Sequence, residues 1–134
     1  MATVIETSMW VDFFRRKTPP AVKDQIRPWM LRHDIALCEP VLCELLRSAA
    51  RDERSLIERH FATMPLLTTQ PTLWREATQL GQQCSDSGLL VGALDLLIAT
   101  VCLHHRATLV TFDEHFAAIA KLCGLPTAVL TRAN

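Results

Sequence analysis

The sequence predicts an α/β fold in which helices cover both faces of a parallel sheet. Three observations carry this. Short, continuously apolar stretches recur at Thr3–Ile5, at residues 35–38 and at residues 107–111, the pattern of strands buried on both sides. Amphipathic or fully apolar stretches of helical period fill the gaps between them. The chain has 134 residues, 49 % hydrophobic and 21 % charged, enough for a single cored domain spanning 1–134.

The elements follow in order. After the first strand, Ser8 stands where it can cap a helix over residues 9–14, which runs into the basic cluster Arg15-Arg16-Lys17. Pro19-Pro20 opens the next helix, over residues 21–32, because proline suits a first turn. Pro28 inside that segment predicts a kink or break. Residues 35–38 make the second strand, and Glu39-Pro40 leads into a helix over 41–50. Asp52 is placed to cap a helix over 53–63, with Leu56, Ile57, His60 and Phe61 on one side.

Residues 64–67 offer a weak strand. Pro71 begins a helix through Trp74, Ala77, Leu80 and Gly81 that ends near Ser87-Gly88. Residues 95–105 are apolar nearly all round, as in a buried helix. A strand over 107–111 follows. Asp113 caps a last helix over 114–122, Gly124 closes it, and residues 128–130 supply an edge strand. The expected sheet has about 4–5 strands, mostly parallel, joined by right-handed crossovers.

Formal net charge is zero, so the chain as a whole lacks the basic signature of nucleic-acid binding, though a local basic rim remains open. No apolar run reaches the roughly 20 residues of a membrane span, and no basic segment leads an apolar block as in a signal peptide. The cysteines, Cys38, Cys43, Cys84, Cys102 and Cys123, are odd in number and form no C-x-x-C pair. All but Cys84 lie in apolar segments, so they read as buried free thiols of a cytoplasmic protein. No Cys/His pair has zinc-ligand spacing, and the adjacent His104 and His105 point apart on a helix.

The acids carry the functional signal. Glu6 follows the first strand and Asp113 follows the strand at 107–111. Ligands of open α/β sheets bind at that carboxyl edge. Asp95 starts the buried helix, and Glu44 lies beside the apolar face of the helix after the second strand. Each alone has a plainer explanation: Asp95 and Asp113 as helix caps, Glu6 as an acceptor for amides at the next helix start, Glu44 as a solvated edge residue. Together they would repel one another unless a hard divalent cation such as Mg²⁺ neutralised them. The chemistry of such a site is phosphodiester hydrolysis.

Four stretches then resemble a known family: V-I-E-T-S-M-W-V-D-F from Val4, C-E-L-L-R from Cys43, L-D-L-L-I-A-T from Leu94 and L-V-T-F-D-E-H-F from Leu109. In this order they are similar to PIN domains, in particular the VapC-like ribonuclease toxins of type II toxin–antitoxin pairs. The resemblance implies a three-layer α/β/α sandwich and an endoribonuclease dependent on Mg²⁺ or Mn²⁺ that cleaves tRNA, rRNA or mRNA. It also implies a homodimer and inhibition by a cognate antitoxin. Carried over, Glu6, Glu44, Asp95 and Asp113 are the catalytic acids, with Glu6, Asp95 and Asp113 as metal ligands. Ser8 matches the hydroxyl that orients the first acid or a metal-bound water.

The first acid of the family is usually Asp. Glu6 is one methylene longer, which leaves open an active enzyme with a shifted metal or an impaired module that only binds RNA or antitoxin. Arg47, about a turn from Glu44, is placed either for an ion pair with it or for an RNA phosphate. Arg15 and Arg16 are weaker phosphate candidates. Trp10, Phe13, Phe14, Trp29 and Met30 serve mainly the core, with part of their surface offered as a groove for an antitoxin helix.

Overall fold

The computed structural model describes residues 1–134. Its elements are β1 (Thr3–Ile5), α1 (Thr7–Phe14), α2 (Pro20–Met30), β2 (Ile35–Ala36), α3 (Glu39–Ser48), α4 (Arg51–Phe61), α5 (Leu73–Asp86), α6 (Ala93–His105), β3 (Thr108–Thr111), α7 (His115–Cys123) and β4 (Thr127–Val129). The sheet runs β2-β1-β3-β4, and every pairing is parallel. Central β1 is buried along its whole length and edge β4 only half-buried, as expected of strands in the middle and at the rim of a helix-covered sheet. Helix α1 packs on α2 and α3, α5 packs on α6 and α7, and α3 also meets α6. The result is an α/β/α sandwich around Ile5, Met9, Trp10, Ile98, Leu109 and Phe116, all essentially inaccessible to solvent.

Register is what builds the functional edge. Val4 pairs with Leu109 and Ile5 with Val110, so the residues that follow, Glu6 and Thr111, leave the sheet side by side. The Glu6 amide still donates to the Val110 carbonyl at 2.9 Å, which fixes its backbone to β3.

Several local expectations are corrected. Helix α1 begins at Thr7 with Glu6 in the cap position, so Ser8 lies inside the first turn and caps nothing; its hydroxyl goes to the Glu6 carboxylate instead. Helix α4 starts at Arg51 after Ala50, which leaves Asp52 in the first turn, where its charge favours the helix N-terminus without capping it. Helix α2 runs unbroken through Pro28. Proline deprives the Asp24 carbonyl of its donor. Both residues are exposed, so water can satisfy that group, while Val22 and Ile26 anchor the opposite face. The strand expected over 64–67 shrinks to one bridge between Leu37 and Leu66. Of the thiols expected to be buried, Cys38, Cys84 and Cys102 are, but Cys43 is exposed and Cys123 only half-buried.

Candidate active site

Glu6 sits at the carboxyl end of β1 and is only 4 % exposed. Two hydroxyls reach the same oxygen, Oε1: Ser8 Oγ at 2.6 Å and Thr111 Oγ1 at 2.5 Å. Burial raises the Glu6 pKa, the hydroxyls and the Ser8 amide oppose that rise, and the charge of Glu44 adds to it. Thr111, the last residue of β3, also accepts the Asp113 amide at 2.9 Å, and Ser8 Oγ accepts the Phe112 amide at 3.3 Å. The connection from β3 to α7 is thereby stitched to the start of α1.

Asp113 lies in that connection. Its Oδ1 accepts the His115 amide at 2.9 Å, so it does close the start of α7 as well as lining the edge. Asp95 lies in the first turn of α6, which is capped by Gly92 and not by Asp95. Its pKa is raised first by burial, then by the charges of Glu44 and Asp113, while His115 opposes the rise. Half-buried Glu44 on α3 is thus close enough to act on both Glu6 and Asp95. Like charge from Glu44 bears on both Glu6 and Asp95, and like charge from Asp113 bears on Asp95, so acids from separate parts of the chain lie toward one end of the sheet.

The coupling acts through space. No three His, Cys, Asp or Glu side chains stand already converged at metal-ligand distance. The donor chemistry still suits Mg²⁺ or Mn²⁺: the acids supply only oxygen, and such ions take one or two carboxylates and keep several waters. The excess negative charge that raises Asp95 is what a cation would relieve.

Arg47 is exposed and pairs with no carboxylate, so the ion pair with Glu44 is not formed. Arg15 and Arg16 are exposed at the end of α1, likewise unpaired. Of the aromatic set, Trp10 is fully buried, and Phe13, Phe14, Trp29 and Met30 are half-buried against the core. Trp10, Phe13 and Phe14 cluster with His60 and Phe61 of α4. Nearby, α3, α4 and Leu66 enclose an apolar hollow of about 310 Å³ that also includes Leu42, Leu46, Phe61 and Met64.

Sequence reasoning missed Thr111 and His115. Thr111 had one usable signal: a hydroxyl at the end of a buried strand beside the strand that carries Glu6. His115 had none beyond lying two residues after Asp113.

The PIN domain family model matches residues 3–122. Ribonuclease VapC11 of Mycobacterium tuberculosis is 30% identical over 131 residues, covering 93% of this chain and 96% of that protein. Ribonuclease VapC21 of the same species is 30% identical over 111 residues, 80% of each. Among solved structures, VapBC2 from Rickettsia felis, bound to a DNA fragment from its promoter, superposes with a TM-score of 0.76 at 21% identity, over 97% of this chain and 99% of that one. VapBC-5 from Mycobacterium tuberculosis, a member of the VapBC family of toxin-antitoxin systems, gives 0.70 at 23% identity, over 96% and 98%. The chain belongs to the PIN-domain family, in its VapC-like branch.

Proposed function

We propose that this PIN-domain protein is a metal-dependent endoribonuclease and the toxin of a toxin–antitoxin pair. The observation that carries this is a buried Glu6 at the carboxyl end of β1, tied through Ser8 and Thr111 to the connection that holds Asp113, with Asp95 and Glu44 near enough for their like charges to be felt there. Caps and surface acids have no reason to gather there against their mutual repulsion.

Asp95 and Glu6 would hold the principal Mg²⁺ or Mn²⁺, and Asp113 and Glu44 would complete the acidic site. When bound, the ion polarises a phosphoryl oxygen and makes a nucleophilic water available at neutral pH. The protein's part is placement. Ser8 and Thr111 fix the first acid, the Asp113 amide is tied to Thr111, and Arg47 stands free for an RNA phosphate. Arg15 and Arg16 extend that backbone contact.

The named VapC ribonucleases among the relatives support the RNA substrate. The VapBC complexes among the structural neighbours support an antitoxin partner. The apolar hollow and the half-buried Phe13 and Phe14 are where a partner's helix would gain most by burial. No helix is long and apolar enough to cross a membrane, which suits action on cytoplasmic RNA.

The test is cleavage of total RNA by the purified chain with Mg²⁺ or Mn²⁺, with chelator, and with Asp95→Asn. Fragments that require metal and vanish in the variant support the reading. Undiminished cleavage by Asp95→Asn overturns the site, and metal-independent cleavage overturns the mechanism.

A further inference from the structure

We propose that Glu6 is held in a two-hydroxyl clamp fitted to glutamate, so that the shorter aspartate would be the worse residue in this chain. The functional consequence rests on the metal-site reading above; the clamp itself rests on hydrogen-bond geometry.

Each hydroxyl has one proton to give. The Phe112 amide can only donate, so Ser8 Oγ must accept there, at 3.3 Å, and its proton is free for Glu6 at 2.6 Å. The Asp113 amide likewise donates to Thr111 Oγ1 at 2.9 Å, and the Thr111 proton goes to the same Glu6 oxygen at 2.5 Å. Two backbone amides are thus relayed through two hydroxyls onto Oε1. Both relays end on one carboxyl oxygen, Oε1, as the acceptor. Neither hydroxyl reaches Oε2.

The other end of the side chain is fixed as well. The Glu6 amide is bonded to Val110 in the sheet at 2.9 Å, and Thr111 follows Val110 directly. The carboxylate must therefore span a set distance. Removing one methylene shortens the reach by roughly 1.5 Å, which stretches both hydroxyl bonds past the limit of about 3.6 Å. The shorter acid would stay buried without its donors, and the charge facing Asp95 and Glu44 would move. The extra methylene of this chain is then a fitted feature rather than damage to the site. Ser8 and Thr111 are positioning residues for it.

The experiment measures melting temperature in chelator, and again with Mn²⁺, for the wild type, Glu6→Asp, Glu6→Gln, Thr111→Val, Thr111→Ser and the double variant Glu6→Asp/Thr111→Val. In chelator, Glu6→Asp melts about 5 °C or more below the wild type. Glu6→Gln, which keeps the length, melts above Glu6→Asp. Thr111→Val lowers melting in the wild type but adds little to Glu6→Asp, because the bond it removes is already gone, and Thr111→Ser restores most of the loss. With Mn²⁺, the wild type gains stability, and Glu6→Asp binds the ion about tenfold more weakly. The proposal is overturned if Glu6→Asp melts at or above the wild type, if the two losses add in full, or if Glu6→Asp binds Mn²⁺ more tightly. If the chelator results hold while Mn²⁺ leaves the wild type unmoved, the clamp stands and the metal reading falls.

Discussion

Replacing Asp95 with Asn separates an acidic site from a helix cap, because the two predict opposite signs for stability. Asp95 is half-buried near Glu44 and Asp113, and its pKa is raised by burial first and by those charges next. A carboxyl whose folded pKa lies above its unfolded value destabilises the fold once ionised, and stability recovers as pH falls through the folded value. Removing the charge therefore stabilises the metal-free protein at neutral pH. Two like-charge interactions, discounted for partial exposure and salt, together with partial desolvation give about 1 kcal/mol. Against this, an acid in the first turn of α6 gains about 0.5 kcal/mol from the helix N-terminus. The net gain is about 0.5 kcal/mol, or roughly 2 °C in melting temperature for a chain of this size. The assay is thermal unfolding in chelator at low ionic strength, beside cleavage of RNA with Mg²⁺. Asp95→Asn should melt slightly higher than the wild type and lose at least about 100-fold in rate. A variant that melts lower and still cleaves would mean Asp95 serves the helix alone, and would refute the coupled-acid argument.

Three further outcomes follow from packing and ion pairs. Gly81→Ala in α5 should raise stability by about 0.5 kcal/mol in a melt, because the new methyl meets only the Leu96 side chain, with Cδ1 at 3.1 Å, and that half-buried side chain can shift; a fall would mean Leu96 is locked. Arg132→Ala should lower the melting temperature by leaving Asp12, a nearly buried acid of α1, without its paired contacts at 2.7 and 3.1 Å, and proteolysis should then trim the C-terminus faster. Arg32 and Thr3 hold the Asp34 carboxyl well below its usual range. The stability this gives is full above the unfolded pKa of about 3.9 and lost as pH falls through the folded value, so Asp34→Asn should melt below the wild type at neutral pH, with the gap closing in acid.

The sheet was legible because its central strands are short, have no charged residue and are bounded by acids or turns, and Thr3–Ile5 came through to the residue. Glu6 and Asp113 were legible because residues that leave parallel strands at one end share an edge; Asp95 and Glu44 were read from their helices, α6 and α3. Cap positions were harder to place. Ser8 and Asp52 have the right chemistry, but each helix starts two residues earlier than the sequence pattern suggests, which turns a cap into a first-turn residue. Pro28 misled because exposure of the freed carbonyl is a tertiary property that no local rule contains. Thr111 was missed because its role comes from the pairing of β1 with β3, a contact 105 residues apart in sequence. Arg47 looked equally able to pair with Glu44 or stay free, and only its orientation in the fold decided against the pair.

The most direct measurement is an anomalous difference map from crystals grown with Mn²⁺. A peak among the carboxylates of Asp95, Glu6 and Asp113 at the carboxyl edge of β1 and β3 is the predicted result. A well-ordered acidic edge with no peak at saturating Mn²⁺, or with manganese bound only elsewhere, would contradict the account.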